Sequence, residues 1–231
     1  MEVKTKIFLT PQCNLNYIYC FKNKRKKAPK VNEILLKINK AKKKVIFKGG
    51  EPLLRKDILQ ILRYAKSRNL KVGLETNGIL LNKKYLRYIN EVYFVFDTID
   101  FKAWKKITRK TKSEFKTTIK AIKLAKRLRK KVYIDSLLTE LNFNSLEETK
   151  EFCKKNNLIL RILENPRIPG FKYSNAISLP IKKAKFLGKN IIYIKAKKRL
   201  LNKEKLKYYK KRGKNAKEIP KYLICLQVQQ I

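Results

Sequence analysis

Short β-branched or aromatic runs alternate with amphipathic helical patterns, and this alternation constrains the fold more than any other feature of the sequence. The runs predict six strands, at residues 5–10, 44–48, 71–75, 92–97, 131–138 and 158–164. Between them apolar residues recur at helical spacing, as Ile58, Ile61, Leu62 and Ala65 do. Because crossover helices between parallel strands are right-handed, the pattern predicts an α/β fold with a parallel sheet that curls into an open or complete barrel.

The pattern changes character after Pro166, and Pro169-Gly170 marks a break. We therefore expect a core over residues 1–170 and a lysine-rich extension over residues 171–231. Residues 181–221 contain 17 Lys or Arg and two Glu, with aromatic residues between them. This composition suits contacts to RNA phosphates and bases. The alternative is a solvated helical appendage whose tyrosines pack on the core.

The overall composition excludes several classes of site. The chain has no histidine, which removes Ser-His-Asp triads, Cys-His pairs and histidine zinc sites. Its 60 Lys and Arg against 17 Asp and Glu give a net charge of +43. That charge favours polyanionic partners, although general lysine enrichment is also a habit of thermophile and AT-rich proteomes. No apolar run reaches the roughly 18 residues of a membrane span, so we expect a soluble cytoplasmic protein.

A cysteine pair follows the first predicted strand, in the stretch PQCNLNYIYCF. In parallel barrels functional groups gather on the loops after the carboxyl ends of the strands. Thiolates are soft ligands that suit iron–sulfur clusters or zinc, and Cys13 and Cys20 lie close enough in sequence to share one. On their own, two such cysteines are weak evidence for a metal site and favour a structural or disulfide role.

Three further motifs follow the next three strands. FKGGEP contains Gly49 and Gly50, whose backbone can approach a ligand closely, and the carboxylate Glu51. ETNG and FDTID follow, and in the latter Asp100 is the expected N-cap of a helix while Asp97 remains as a carboxylate near the mouth of the barrel. Each motif alone is also compatible with an ordinary turn.

Taken in order, these motifs resemble the radical S-adenosylmethionine superfamily. The family's Cys-x3-Cys-x2-Cys loop matches Cys13, Tyr17 and Cys20, and its GGEP motif matches residues 49–52 letter for letter. Within the superfamily the chain is most similar to the GTP cyclase of molybdopterin synthesis, through GGEPLLRKDI, TNGILL, FDTIDFKAWKKIT and RILENPRIPG. The resemblance covers about residues 1–170.

The resemblance implies a partial six-stranded (β/α)6 TIM-like barrel with a [4Fe-4S] cluster at its mouth. Three irons of such a cluster are bound by cysteines, and the fourth is chelated by the amino and carboxylate groups of S-adenosylmethionine. One electron given to the sulfonium yields methionine and a 5′-deoxyadenosyl radical, which takes a hydrogen atom from a substrate. The expected partners are a small-molecule, peptide or RNA substrate and a reductant protein.

The resemblance also assigns roles to residues of this chain. The implied cluster ligands are Cys13 and Cys20, and the implied cofactor-binding residues are Tyr19 beside the adenine, Gly49, Gly50 and Glu51 at the methionine ammonium, Thr76 and Asn77 along the cavity, and Asp97 beside the ribose.

The chain departs from the family at the middle cysteine, where it has Tyr17. A phenol is a harder donor than a thiol, with a pKa near 10 against about 8.5. Tyrosinate does bind haem iron in some proteins, so Tyr17 stays a doubtful third ligand. We expect Cys153 and Cys225 to be core thiols rather than replacement ligands.

Other departures concern the substrate. The family's cofactor-contacting serine on the fourth strand falls on Phe96, its phosphate-binding arginine before GGEP on Ile46, and its lysine on the fifth strand on Tyr133. The second cluster of the cyclase needs three carboxyl-terminal cysteines, where this chain has Cys225 alone. GTP cyclase activity is therefore not expected.

Three hypotheses remain open. The chain is a radical S-adenosylmethionine enzyme with an unidentified substrate, or a degenerate relative that binds RNA or a partner through its basic surface, or a chain in which Tyr17 is not the natural residue. The intact glycine pair favours the first hypothesis, because a decayed site has no need to keep it without a ligand.

Overall fold

The computed structural model describes residues 4–20, 27–137, 139, 141–142 and 144–163, and the backbone of residues 191–194, 196–200 and 222–226. The end of the RILENPRIPG run, most of the basic extension and the side chain of Cys225 lie outside the described residues. Predictions about RNA binding through that extension, and about its division from the core, therefore stay predictions.

The strands form one parallel sheet whose order follows the chain. They are β1 (Lys4–Phe8), β2 (Lys44–Lys48), β3 (Lys71–Thr76), β4 (Glu91–Val95), β5 (Lys131–Leu137), β6 (Ile159–Leu163) and β7 (Ile191–Ile194). The first six match the predicted strands to within two residues at either end, which confirms the α/β class and the parallel sheet.

Strand β7 is an addition to the predicted six. Its β-branched and aromatic run lies within the predicted extension and pairs with β6. Strands β8 (Ala196–Leu200) and β9 (Tyr222–Leu226) pair antiparallel in a separate two-stranded sheet. The described residues of the extension therefore form strands, and not the helical appendage that was the alternative expectation.

Helices lie between successive strands from β1 to β6 and cover one face of the sheet. They are α1 (Val31–Asn39), α2 (Ile58–Ser67), α3 (Lys83–Leu86), α4 (Phe101–Thr108), α5 (Lys112–Arg127) and α6 (Leu146–Lys155). Helix α4 begins after Asp100, whose carboxylate accepts a hydrogen bond from the backbone of Lys102 at 2.8 Å, as predicted for an N-cap. Within the described ranges, no helix is long and apolar enough to cross a membrane.

The main core lies between the helices and the sheet. Successive residues of a strand point to opposite faces, so alternate positions of β2 to β6 enter this core. These are Val45, Phe47, Val72, Leu74, Val92, Phe94, Val132, Ile134, Leu160 and Ile162, all at most 3% exposed. The single tryptophan, Trp104 of α4, packs edge-on against Phe115 of α5 in the same core.

The opposite face of the sheet, called the inner face below, carries Lys4, Lys6, Lys44, Ile46, Lys48, Lys71, Gly73, Glu75, Glu91, Tyr93, Lys131, Tyr133, Asp135, Ile159 and Arg161. The rings of Tyr93 and Tyr133 stack with centroids 4.4 Å apart and, with Ile46 and Ile159, form a small apolar cluster. The Arg161 guanidinium lies 4.5 Å from the Tyr93 centroid. These four residues, Ile46, Tyr93, Tyr133 and Ile159, are called the aromatic floor below. Charged groups of the inner face surround them.

Candidate cofactor site at the carboxyl ends of the strands

Residues 9–20, called the cysteine loop below, lie directly against the turn that follows β2. The Gly50 amide donates to the Thr10 carbonyl and the Glu51 amide to the Gln12 carbonyl, both at 2.7 Å. A Cβ on Gly49 would lie 2.5 Å from the Thr10 carbonyl oxygen, and one on Gly50 would lie 2.6 Å from the Gln12 carbonyl carbon. This close approach requires both glycines without any ligand, so the intact pair does not by itself favour the enzyme hypothesis.

The same loop is also tied to β3 and to α4. The Asn77 side-chain amide donates to the Asn14 side chain at 2.7 Å, and the Ile18 amide donates to the Ile107 carbonyl at 2.9 Å. Leu15, within the loop, is buried at 2% exposure. Asn14 was not predicted as a site residue, although its position directly after Cys13 is the one signal that could have indicated it.

The two loop cysteines lie at the surface of this arrangement. Cys13 is half-buried and accepts a hydrogen bond from the Leu15 amide at 3.4 Å, while Cys20 is exposed. The Cys20 amide donates to the Tyr17 carbonyl at 3.0 Å in a tight turn. Both thiols lie near enough to the Tyr17 phenol to contribute to raising its pKa.

The two loop tyrosines reach across to the end of β4. Tyr17 donates its hydroxyl hydrogen to the Val95 carbonyl at 2.9 Å, and Tyr19 donates to the Asp97 carboxylate at 2.5 Å. Their rings stack with centroids 5.1 Å apart. Burial, followed by the charge of Asp97, raises the pKa of both phenols well above the ordinary value. Both side chains are therefore protonated donors.

Glu51 joins the GGEP turn to the TNG turn. Its carboxylate accepts hydrogen bonds from the Leu53 amide at 3.0 Å, the Thr76 hydroxyl at 2.9 Å and the Asn77 amide at 2.9 Å. The residue is fully buried, and burial raises the pKa of the carboxyl to about 6 against the opposing effect of these bonds. Its predicted contact with a methionine ammonium stays a prediction.

Asp97 lies where β4 and β5 end. Its carboxylate also accepts a hydrogen bond from the Leu137 amide at 2.8 Å, and its carbonyl accepts one from the Ser136 hydroxyl at 2.6 Å and one from the Asn142 side chain at 3.0 Å. The residue is 1% exposed, and burial raises the pKa of the carboxyl to about 7 despite the donors. Asn142 was missed, since no sequence pattern indicates a contact made across 45 residues.

The donor set matches a [4Fe-4S] cluster only in part. Cys13 and Cys20 supply two soft ligands, whereas the Tyr17 phenol is protonated and donates to a carbonyl. Within the described residues, no group of three or more His, Cys, Asp or Glu side chains could hold a metal. Cys153 is a core thiol as predicted, 2% exposed, with its pKa raised to about 12 by burial. The chain supplies two of the three protein ligands that the family's cluster needs.

Besides Tyr17, three further positions differ from the family, and all three are buried. Ile46 and Tyr133 belong to the aromatic floor, at 3% and 9% exposure. Phe96 points to the helix side of the sheet, where its ring stacks 5.6 Å from that of Phe115. Ile46 and Phe96 therefore supply no polar group to the mouth of the barrel, and the ring of Tyr133 packs in the floor.

The charged groups of the inner face pair with one another. Arg161 binds Asp135 through two hydrogen bonds, one of them 2.5 Å long. Lys6 and Lys48 share the carboxylate of Glu75, at 3.6 and 3.9 Å. At the amino ends of the same strands Lys44 and Lys71 bind Glu91, at 2.5 and 3.1 Å. These five cations and three carboxylates leave a positive excess around the aromatic floor.

Comparison of the sequence with known proteins identifies the family. The model of the family described as Radical SAM superfamily matches residues 7–153. Curated relatives include a probable GTP 3′,8-cyclase of Methanococcus maripaludis, 31% identical over 87% of this chain and 71% of its own length. Another, from Methanocaldococcus jannaschii, is 32% identical over 69% of this chain and 57% of its own length.

Solved structures show the same fold. Streptococcus suis SuiB, 18% identical, superposes with a TM-score of 0.65 over 92% of this chain and 47% of its own length. Methylornithine synthase PylB, 17% identical, superposes with a TM-score of 0.58 over 70% of this chain and 52% of its own length. The chain thus spans about half the length of these two proteins, and the partial TIM-like barrel predicted from the sequence is confirmed.

Proposed function

The chain belongs to the radical S-adenosylmethionine superfamily, near its GTP cyclase branch, and from that premise we propose that it cleaves S-adenosylmethionine reductively to act on a small-molecule or peptide substrate. Members of the superfamily bind a [4Fe-4S] cluster and S-adenosylmethionine. The observation that carries the proposal is the attachment of one cysteine-bearing loop to the ends of β2, β3 and β4, through Gln12, Asn14 and Tyr19.

In this proposal the residues of the chain position and enclose the cofactors. Cys13 and Cys20 supply two thiolates, and the cluster, when bound, supplies the electron that splits the sulfonium into methionine and a 5′-deoxyadenosyl radical. Glu51 holds the turns after β2 and β3 together beneath the proposed methionine site. Asp97, whose carboxyl pKa is raised to about 7 by burial, lies beside the proposed ribose site.

The inner face supports a substrate other than a nucleoside triphosphate. A triphosphate requires several cations that are not already neutralised, because each phosphate charge must be compensated when it leaves water. Of the inner-face cations, Arg161 is paired with Asp135. Lys6 and Lys48 share Glu75, and Lys44 and Lys71 share Glu91. We propose a substrate with an aromatic or apolar part for the floor and few net charges.

A small molecule or a peptide segment meets this description. One SuiB structure is described as bound to the precursor peptide SuiA, which is a statement about that protein. The mixed charges around the aromatic floor of this chain would accept the charged and apolar side chains of a peptide. A reductant protein is the remaining partner that the reaction class requires.

The proposal is tested by formation of 5′-deoxyadenosine. The full chain is reconstituted anaerobically with iron and sulfide, and S-adenosylmethionine and dithionite are added. We expect 5′-deoxyadenosine from the unmodified chain and only background from Cys13→Ala and Cys20→Ala. The matched control is Cys153→Ala, a core cysteine, which should retain the activity. Equal product from the loop variants, or none from a folded and reconstituted chain, would contradict the proposal. Consumption of GTP in the same assay would contradict the proposed substrate class.

A second candidate is a non-catalytic relative that keeps the barrel and binds a partner through its basic surface. The observation that favours it is the Tyr17 hydroxyl, which donates to the Val95 carbonyl instead of offering a third metal ligand. This candidate predicts an unmodified chain that stays colourless after reconstitution, while Tyr17→Cys takes up iron and sulfide. Uptake by both chains would rule it out.

A further inference from the structure

Tyr17, at the middle position of the family's cysteine motif, makes a contact that does not depend on a bound metal. Tyr17 spans 78 positions in sequence to donate its hydroxyl hydrogen to Val95, the last residue of β4. This bond joins the cysteine loop to β4, which lies two strands along the sheet from β2 and its GGEP turn. The loop is thus attached to the strand by a direct hydrogen bond between two protein groups.

The neighbouring contacts reinforce the same closure. Tyr19 stacks on Tyr17 and donates to Asp97. The Ile18 amide, between the two tyrosines, donates to the Ile107 carbonyl of α4. Three consecutive residues are therefore held by β4, the segment after β4, and α4. A loop held in this way loses little further conformational freedom when it binds a ligand.

We infer that Tyr17 is the anchor of the cysteine loop and not a ligand of the metal centre: its hydroxyl keeps the loop closed on the end of β4 before any metal binds. A side chain at this position cannot both donate to the Val95 carbonyl and give its oxygen to iron, since a metal-bound tyrosinate has lost the hydrogen that it donates here. The metal centre then has two protein thiolates, from Cys13 and Cys20.

The closure of the loop concerns the metal-free chain and holds whether or not a cluster forms. The number of protein thiolates rests on the proposed function. The experiment is therefore divided so that one part can fail without the other.

The first part compares hydrogen exchange in the metal-free full chain, with chelator present. Tyr17→Phe keeps the ring and removes only the hydroxyl, and Tyr17→Cys removes both. Loss of one hydrogen bond of ordinary strength should speed exchange at the Ile18 and Cys20 amides about fivefold in both variants. Tyr64→Phe is the matched control, because the Tyr64 hydroxyl donates to Asn39 on the helix side, and it should leave these amides unchanged. Exchange in Tyr17→Phe equal to that of the unmodified chain would overturn the anchor.

The second part measures iron and sulfide per chain after reconstitution, and the rate of iron loss to a chelator. Tyr17→Phe should match the unmodified chain in both. Tyr17→Cys should lose iron more slowly, by about tenfold or more, since even outer-sphere changes alter metal affinity about 10- to 100-fold. A drop in iron in Tyr17→Phe would overturn the inference.

A measurement on the unmodified chain does not depend on any variant. Resonance Raman spectra excited in the visible band of the reconstituted chain should contain no tyrosinate vibrations. Their presence would identify Tyr17 as a ligand and overturn the inference. If the chain binds no iron at all, the proposed function fails, while hydrogen exchange still decides the anchor.

Discussion

Replacing Gly50 by alanine tests whether the glycine pair exists for contact between two backbones. The added Cβ would lie 2.6 Å from the Gln12 carbonyl carbon and 2.8 Å from the Pro11 carbonyl oxygen. Both are backbone atoms, so the methyl group cannot be accommodated by rotating a side chain. The cysteine loop must move away, and the bonds from Gly50 to Thr10 and from Glu51 to Gln12 are stretched or lost.

The magnitude follows from these losses. Two backbone hydrogen bonds are worth about 1 kcal/mol each, and local backbone strain adds about 1–3 kcal/mol. Gly73→Ala is the matched control, since its Cβ would meet side-chain atoms of Ile46 and Tyr93 at 3.1 Å, and these can shift slightly. Both substitutions reduce the entropy of the unfolded chain equally, so that effect cancels in the comparison.

Urea unfolding followed by fluorescence of the single, buried Trp104 gives the two free energies of unfolding. We expect Gly50→Ala to lose about 3 kcal/mol, a shift of the midpoint by about 1 M or more, and Gly73→Ala to lose about 1 kcal/mol or less. Equal losses in the two variants would refute the argument that backbone contact requires Gly50.

Three further substitutions follow from the site and the inner face. Thr76→Val removes the hydroxyl that donates to the buried Glu51 carboxylate and should lower the free energy of unfolding by about 1–2 kcal/mol; an unchanged urea midpoint would contradict this. Asp135→Ala leaves the Arg161 guanidinium buried without its carboxylate and should cost about 3 kcal/mol, whereas a neutral result would mean that the pair contributes nothing to stability. The pKa of Asp97 is raised to about 7 on folding, so the folded chain keeps a proton that the unfolded chain releases from about pH 4 upward. Stability should therefore fall between about pH 4 and 7, and Asp97→Asn should make that fall shallower; identical slopes from urea unfolding across this range would contradict the assignment.

The sheet was largely predictable because strand periodicity depends on nearest neighbours in sequence. The run at 44–48 is apolar at the two positions that enter the main core, Val45 and Phe47, and its predicted bounds equal those of β2. Strand β7 was missed because its Ile-Ile-Tyr-Ile run lies in a lysine-dense segment, where charge dominated the interpretation. Asp100 was predicted as an N-cap since capping is also local.

The site was predictable in its position and not in its contacts. Topology brings the loops after successive parallel strands to one edge, so Cys13, Glu51, Thr76 and Asp97 could be grouped from order alone. The partner of Tyr17 could not be found in this way, because the bond to Val95 depends on how far the loop folds over the sheet. The glycine pair likewise suggested a ligand-binding turn, because the sequence does not show how closely the backbone of residues 10–12 approaches Gly49 and Gly50.

Iron and sulfide content after anaerobic reconstitution tests the central claim most directly, namely that Cys13 and Cys20 together hold a metal cluster at the mouth of the barrel. The full chain should bind both elements, and the double substitution Cys13→Ala with Cys20→Ala should bind neither while unfolding at a similar urea concentration. Equal iron and sulfide in the two proteins, or none in the unmodified chain, would contradict the account.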